Sequence, residues 1–444
     1  MPIDPSVLRK LYNAFEPQPL DAGNSAYVDC QELRGDCDIL QEMGRKIVFS
    51  DKSTCLLYTG LRGAGKSTEL LRLKQYLEDL DYKVVYFSAD EEDIDPEDAR
   101  YTDILLACTR RLLQSLNADQ KNNPVVAWLK SRWQSLKELA ATEVEIEDIS
   151  IEIFAKITAN LRTVPSLRQK IRNEVDPYTV SLIEALNEFI AEAMQKTPQW
   201  QGKVVLIADN LDRIVPVTNA DTHNLNHDEI FLDRSEQLRA LNCHVIYTVP
   251  ISMAYSQRAI RLIDCYGAIE ILPMIKVWDY AKDDTGAIVR TENPQGINKL
   301  KRIIEQRIIK IDSTLTLEAV FEDQSVLEEL CLRSGGHVRN LILLFHASII
   351  RTSGLPVTVK AMRRALSEMR DVYRRTVADA DWEKLAKVHK TKDLSNKDDY
   401  RRLLFDRCVL EYREVDDDQK ITTWYDVHPL IEELNQFQQA LSAI

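Results

Sequence analysis

No two cysteines in this chain stand in a C-x-x-C spacing, and none clusters with histidine at a zinc-like spacing. The eight cysteines (Cys30, Cys37, Cys55, Cys108, Cys243, Cys265, Cys331 and Cys408) are scattered, several of them in apolar strands or helices. That pattern reads as reduced cysteine packed as a small hydrophobe, not as a disulfide framework or a zinc ribbon. No apolar run approaches about 18 residues, so no membrane span is expected. The opening Met1-Pro2-Ile3-Asp4-Pro5 lacks a basic region followed by an apolar run, so no signal peptide is expected and the location read from the sequence is cytoplasmic. Positive charge is in the minority, 57 Lys and Arg against 70 Asp and Glu for a net charge of −13, which argues against broad coating of nucleic acid and leaves room only for a local basic patch. Internal repeats and low-complexity tracts are also missing. What is present is 444 residues with 45% apolar and 29% charged content, ordinary for a globular protein of two to four domains.

Against that background one stretch stands out. Gly60-Leu61-Arg62-Gly63-Ala64-Gly65-Lys66-Ser67-Thr68 fits G-x-x-x-x-G-K-[ST], the phosphate-binding loop of nucleoside triphosphatases. The pattern requires a strand before it and a helix after it. Cys55–Thr59 reads as an apolar strand, and Ser67–Leu77 has apolar residues at helical spacing. Glycines 60, 63 and 65 permit backbone conformations in which successive N–H groups, that of Ala64 among them, point at an anion, and the helix start adds its partial positive charge. Lys66 is expected on the β- and γ-phosphates, Ser67 on Mg²⁺, and Thr68 nearer the α-phosphate.

Further along, Lys83–Ser88, Lys203–Asp209, Cys243–Pro250 and Ala268–Leu272 read as buried strands separated by helices, which indicates a parallel sheet covered on both faces. Asp95 and Pro96 look like the N-cap and first turn of a helix. Helices are expected near 101–117, 124–140 and Thr179–Lys196. Between them, Thr142–Ile153 alternates apolar and polar residues and predicts an exposed strand or extended arm, inside an insertion of about 118–200 that carries Arg162, Arg168 and Arg172. Asp209 closes its strand, where a carboxylate can orient Mg²⁺ through water; the alternative is an ordinary strand-end Asp. Asn210 follows it and cannot take a proton as a carboxylate can. Asp212 could polarise water, or cap the turn and pair with Arg213, and Asp90 and Glu91 are a further source of a base.

The phosphate loop, Asp209-Asn210-Leu211-Asp212-Arg213, Thr248-Val249-Pro250 and Ser334-Gly335-Gly336-His337-Val338-Arg339 stand in the order found in AAA+ ATPases. Within that group the chain resembles the origin-recognition (ORC/Cdc6-like) and STAND signal-transducing ATPases of prokaryotes, and its D-x-L-D-R run is also similar to KAP-type P-loop ATPases. The resemblance implies a P-loop α/β core followed by a helical lid and a C-terminal winged-helix-like domain. The boundaries expected are 1–45 for a segment over the nucleotide base, 46–275 for the core, 276–376 for the lid and 377–444 for the last domain. In this class Tyr27, Val28 and Arg34 are candidates for contacting the base, or for plain packing. Thr248 takes the sensor-1 place. Arg339, on a lid helix from Val338 to Ile349, takes the sensor-2 place or is a surface helix-start arginine. Arg234 is an arginine finger acting in trans if the protein forms a homo-oligomer, and otherwise a surface charge. Residues 276–295 read as a polar loop before the helical bundle. Relatives carry Glu or Asp where Asn210 stands, so slow turnover is expected.

The last domain reads as helix, helix, hairpin. Its tip, Asp416-Asp417-Asp418, is acidic, and Lys387, Lys390, Lys392, Arg401 and Arg402 are its only basic grouping, which favours a protein partner over DNA. Taken with these residues, the resemblance implies an ATP- and Mg²⁺-dependent switch working on a protein effector in prokaryotic signalling or antiviral defence. The alternatives are a DNA-binding loader or transposition regulator, and a non-hydrolysing nucleotide-bound scaffold.

Overall fold

The computed structural model describes residues 5–116, 123–132, 150–218, 224–282, 284, 288–394 and 397–444. The chain divides into two compact units. One, here the sheet unit, comprises Ile39–Thr59 and Leu73–Glu270; the other, the loop unit, comprises Met1–Asp38, Gly60–Arg72 and Ile271–Ile444.

The sheet unit is built on β1 (Cys55–Gly60), β2 (Lys83–Ser88), β3 (Val204–Asp209) and β4 (His244–Thr248), with β5 (Glu270–Leu272) where the chain passes on; the strand order is β2-β3-β4-β1-β5. The pairings β2–β3, β3–β4 and β1–β4 are parallel, with Val85 opposite Leu206, Leu206 opposite Val245 and Leu57 opposite Tyr247. Every residue of β3 is buried, as an all-apolar strand in a parallel sheet requires. Numbering helices of eight residues or more, the chain has α1 (Pro5–Ala14), α2 (Lys66–Glu78), α3 (Tyr101–Ser115), α4 (Pro124–Ser131), α5 (Ile151–Thr163), α6 (Pro165–Val175), α7 (Thr179–Lys196) and α8 (Ala259–Tyr266). Ile104 and Leu112 of α3 and Leu186 and Ile190 of α7 share one apolar cluster with Val85, Leu206 and Val245. Burial of side chains of this size stabilises by roughly 1.5–3 kcal/mol each.

Two expectations for this unit change. Residues 95–99 are turns, not the start of a helix, and α3 begins at Tyr101. Asp95 Oδ1 does accept from the Glu97 N–H, but the carboxylates of Asp95, Asp98 and Asp103 are taken by arginines of α6. Arg168 reaches Asp95 at 2.7 Å and Asp98 at 2.9 Å; Arg172 reaches Asp98 at 3.0 Å and Asp103 at 2.6 Å. Burial pushes the Asp103 carboxyl up despite Arg172, whereas at Asp98 the hydrogen bonds from Arg168 and Arg172 outweigh burial and hold it low. Arg168 and Arg172 are thus internal and paired, not a partner-facing surface. The alternating stretch lies outside the described residues as far as 149, and its last part, Ile151–Ile153, is the first turn of α5. Alternation of apolar residues over so few positions also satisfies part of a helical stripe.

The loop unit continues with α9 (Pro294–Ile311), α10 (Gln324–Arg333), α11 (Val338–Ile350) and α12 (Val359–Thr376), the predicted bundle. Val326, Leu330, Leu341 and Leu344 are buried, and Phe345 packs edge-on to Phe15 at 4.5 Å and against Phe321 at 5.0 Å. The polar loop expected over 276–295 is instead an antiparallel pair, β6 (Trp278–Lys282) and β7 (Ile288–Glu292), with Trp278 opposite Glu292. The charges there are the cross-strand side chains: Arg290 covers the Trp278 ring at 4.3 Å. Then come α13 (Trp382–Thr391), a short helix Arg401–Phe405, the hairpin β8 (Val409–Val415) and β9 (Ile421–Val427), and α14 (Asn435–Ala443). Helix, helix, hairpin is the predicted order, and its core is the stacked pair Tyr412 and Trp424, 4.2 Å apart.

Candidate nucleotide-binding site

β1 ends at Gly60 and α2 begins at Lys66, so the glycine turn stands between a strand and a thirteen-residue helix as its motif demands. Gly63 and Gly65 have φ of +89° and +115°, open to glycine at little cost. Lys66 is buried, and its ammonium donates to the carbonyls of Gly60 at 2.7 Å and Leu61 at 3.2 Å. Ser67 is partly exposed; the Thr68 hydroxyl accepts from the Leu20 N–H at 3.1 Å. This donor set suits phosphate: one ammonium, a helix N-terminus and a glycine turn.

The segment ahead of β1 is tied to the same turn and helix. The Tyr27 hydroxyl accepts from Arg72 at 2.6 Å and donates to Glu69 at 3.3 Å, with the Arg72 guanidinium over its ring. Arg34 donates to the Ala64 carbonyl at 2.7 Å. Val28 is partly buried between them in sequence. Tyr27 is thereby engaged with α2 through its hydroxyl.

The start of α11 is bonded to the turn itself. His337 Nδ1 accepts from the Asn340 N–H at 3.1 Å, capping the helix, so the neutral ring carries its proton on Nε2 and donates it to the Arg62 carbonyl at 2.6 Å. The Arg339 N–H donates to the Gly63 carbonyl at 3.2 Å. A Cβ on Gly63 would lie 2.5 Å from His337 Cε1 and 2.6 Å from Arg339 Cβ. The arrangement extends inward: the Asn340 amide meets His428 Nε2 at 2.7 Å, His428 stacks on Tyr373, and the Tyr412 hydroxyl donates to the Gly335 carbonyl at 2.8 Å. A buried polar path thus runs from the glycine turn to β8 and β9. His428 is a buried packing residue.

Both histidines of this path are pushed towards the neutral form, chiefly by burial: His337 to about 3, and His428 well below its ordinary value. Their stabilising contribution is complete above about 6.5, the unfolded value, and is lost as pH falls below it, because the unfolded chain takes up protons that the folded one refuses. Between pH 7 and pH 5, His337 alone is expected to cost the wild type about 2 kcal/mol of stability. Urea titrations at both pH values should show this, with a shallower loss in His337→Gln.

The carboxylate end belongs to the sheet unit. Asp209 is fully buried; its Oδ1 accepts from the Asn210 N–H and its Oδ2 from the Tyr86 hydroxyl, both at 2.7 Å. Register explains Tyr86: it pairs with Ile207, two residues from Asp209, so both side chains leave the same face. Tyr86 was not singled out from the sequence, where it reads as an apolar strand residue. Asn210 has φ +65°, a conformation asparagine tolerates far better than glutamate, and its amide donates to Ser88 Oγ at 3.3 Å. The local backbone therefore suits asparagine at this position. The Thr248 hydroxyl accepts from the Leu211 N–H at 2.9 Å and so braces the same turn. Asp212 is buried, and Asp90 pairs with Arg213. Arg234 is exposed, with its guanidinium over Tyr101 at 4.8 Å.

Of the five residues in the basic grouping of the last domain, two are internal. Lys392 donates to Asp426 at 2.6 Å and Arg401 pairs with Asp398. Lys387, Lys390 and Arg402 remain exposed, and Lys390 donates to the Ile444 carbonyl. His389, Asp426 and Glu432 lie close enough for a metal, but Lys392 and Arg290 already hold these carboxylates.

No protein-family model matches the chain, and no curated protein matches it. Solved structures do. A Walker-type ATPase of Pyrococcus abyssi is 13% identical at a TM-score of 0.40, covering 97% of this chain and 99% of its own. Cdc6p of Pyrobaculum aerophilum is 10% identical at 0.40, covering 97% and 98%. The Orc1 protein of Aeropyrum pernix, solved in complex with DNA, is 12% identical at 0.36, covering 100% and 93%. No helix among the described residues is long and apolar enough to cross a membrane. In the chain itself, the five-stranded sheet and the glycine turn between a strand and a helix have the layout of a P-loop core.

Proposed function

We propose that the chain is an ATP-dependent molecular switch of the AAA+/STAND type, acting in the cytoplasm on a protein effector in prokaryotic signalling or antiviral defence. The observation that carries the reading is the bonding of the α11 start to the phosphate loop, His337 to Arg62 and Arg339 to Gly63. A ligand that rearranges the loop must strain or relax these bonds, and only such differential contact lets a nucleotide shift a conformational balance. Bound ATP supplies the phosphate charge, and Mg²⁺ neutralises part of it. Lys66 and the loop amides bind the phosphates, Ser67 takes the metal, and Arg339 reads the γ-phosphate. Asp209 is proposed for the metal's water shell, Thr248 for sensing, and Asp212 for polarising water. Asn210 at the base position supports slow turnover. The internal pairing of Lys392 and Arg401, with the exposed acidic tip Asp416–Asp418, supports a protein partner for the last domain over DNA.

The test is phosphate release with magnesium–ATP beside a binding titration. Expected are binding and turnover on the order of 10⁻³ per second, the scale of nucleotidases lacking a fully placed catalytic group. Binding with no release above Lys66→Ala would make the chain a scaffold. Salt-dependent binding of duplex DNA, lost on joint replacement of Lys387, Lys390 and Arg402 by alanine, would make it a DNA-handling ATPase.

A further inference from the structure

Arg34 is buried, with 6% of its surface exposed. Its Nη2 donates to the carbonyl of Ala64, inside the glycine turn, and a Cβ built on Gly65 would sit 3.7 Å from that nitrogen. Among the described residues Nε and Nη1 have no hydrogen-bond partner, although both are shut off from solvent. An always-charged guanidinium with unmet donors is among the costlier things to bury, and proteins retain one where an anion completes it. Holding the Ala64 carbonyl would need one donor; Arg34 brings its remaining donors to the turn unused. A nucleobase offers neutral acceptors, whereas the turn beside Arg34 is built for phosphate.

We propose that Arg34 is a phosphate ligand, a second cation of the loop beside Lys66, which takes phosphate oxygens through Nε–H and Nη1–H while Nη2 keeps the Ala64 carbonyl. This replaces base contact as its role and rests on the reading of Gly60–Thr68 as a phosphate loop. Arginine suits the place because its charge persists when buried and its planar donors match phosphate oxygens.

The experiment uses the full chain, with Arg34→Met, Arg34→Lys and Lys66→Ala, in calorimetry and thermal unfolding with magnesium–ATP, magnesium–ADP, adenosine and inorganic phosphate. In Arg34→Met the affinity for ADP and ATP is expected to fall at least about tenfold, as loss of charge-assisted hydrogen bonds gives. Its ligand-free melting temperature should hold while the nucleotide-induced rise shrinks. Arg34→Lys should recover part of the loss, and is the variant to read if methionine does not fold. Adenosine binding should be unchanged. Loss of phosphate-induced stabilisation in Arg34→Met, alongside loss of nucleotide, supports the same site for free phosphate. Three results would overturn the proposal: unchanged ADP affinity in both Arg34 variants, an equal loss for adenosine, or a large ligand-free destabilisation with nucleotide affinity intact. If Lys66→Ala loses nucleotide while Arg34→Met does not, Arg34 alone was misassigned. If the wild type binds neither nucleotide nor phosphate, the phosphate-loop reading itself fails.

Discussion

Lys66→Ala is expected to lower the affinity for magnesium–ATP by about two to four orders of magnitude, as loss of two charge-assisted contacts at roughly 1.5–3 kcal/mol each implies. The Lys66 ammonium donates to the Gly60 and Leu61 carbonyls, so it stands at the turn and can exchange carbonyl oxygens for phosphate oxygens. Those carbonyls are weaker partners than a phosphate dianion, which is why the exchange favours binding. The alanine variant should stay folded, since the apolar core is untouched. Calorimetry at constant magnesium, with circular dichroism as the check on folding, measures both halves of the expectation. Equal affinities in folded wild type and variant would remove Lys66 from the site and leave the motif a glycine-rich turn.

The largest expected effect on stability is at Gly336. Its φ is +77°, and a Cβ there would lie 1.7 Å from the Ile275 carbonyl oxygen and 2.8 Å from the carbonyl carbon. Both are backbone atoms that no rotamer change can move aside. Gly336→Ala should therefore destabilise the loop unit by about 3 kcal/mol or more, combining left-handed strain of about 1–2 kcal/mol with overpacking of about 1–3 kcal/mol. Gly23 is the control: its φ is +72° but nothing stands within 4 Å of its Cβ position, so Gly23→Ala should pay the strain alone. Urea denaturation of the two variants separates packing from backbone conformation. Because the turn Gly335-Gly336 leads directly into His337, the same change should weaken nucleotide binding by displacing the cap that holds Arg62. Equal midpoints for the two variants would show that the contact with Ile275 yields easily.

What could be read in advance was whatever is encoded locally. The motif Gly60–Thr68 carries its strand and helix with it, and an unbroken apolar run such as Val204–Ala208 has few fates other than a central parallel strand. Misreadings arose where distant partners decided the outcome. Asp95 and Pro96 have the local signature of a helix start, but two arginines some seventy residues away pull the neighbouring carboxylates into a turn. Trp278 and Tyr280 sit among charges that suggest a loop, and they form a strand because Arg290 and Trp424 supply faces to pack on. Asn210 reads as a catalytic defect; the backbone shows it also to be the residue suited to a left-handed turn.

By itself the amino-acid order determined the parallel α/β core, the glycine turn between its strand and helix, and the sequence of helical bundle, helix pair and hairpin, because turn chemistry and apolar periodicity act over a few residues. Only the tertiary structure decided that His337 grips the loop, that Asn340 carries the contact to His428, and that Arg34 brings unmet donors to Ala64. Hydrogen bonds of this kind join groups 30, 88 and 275 positions apart in the chain, and no local pattern records which of them will meet.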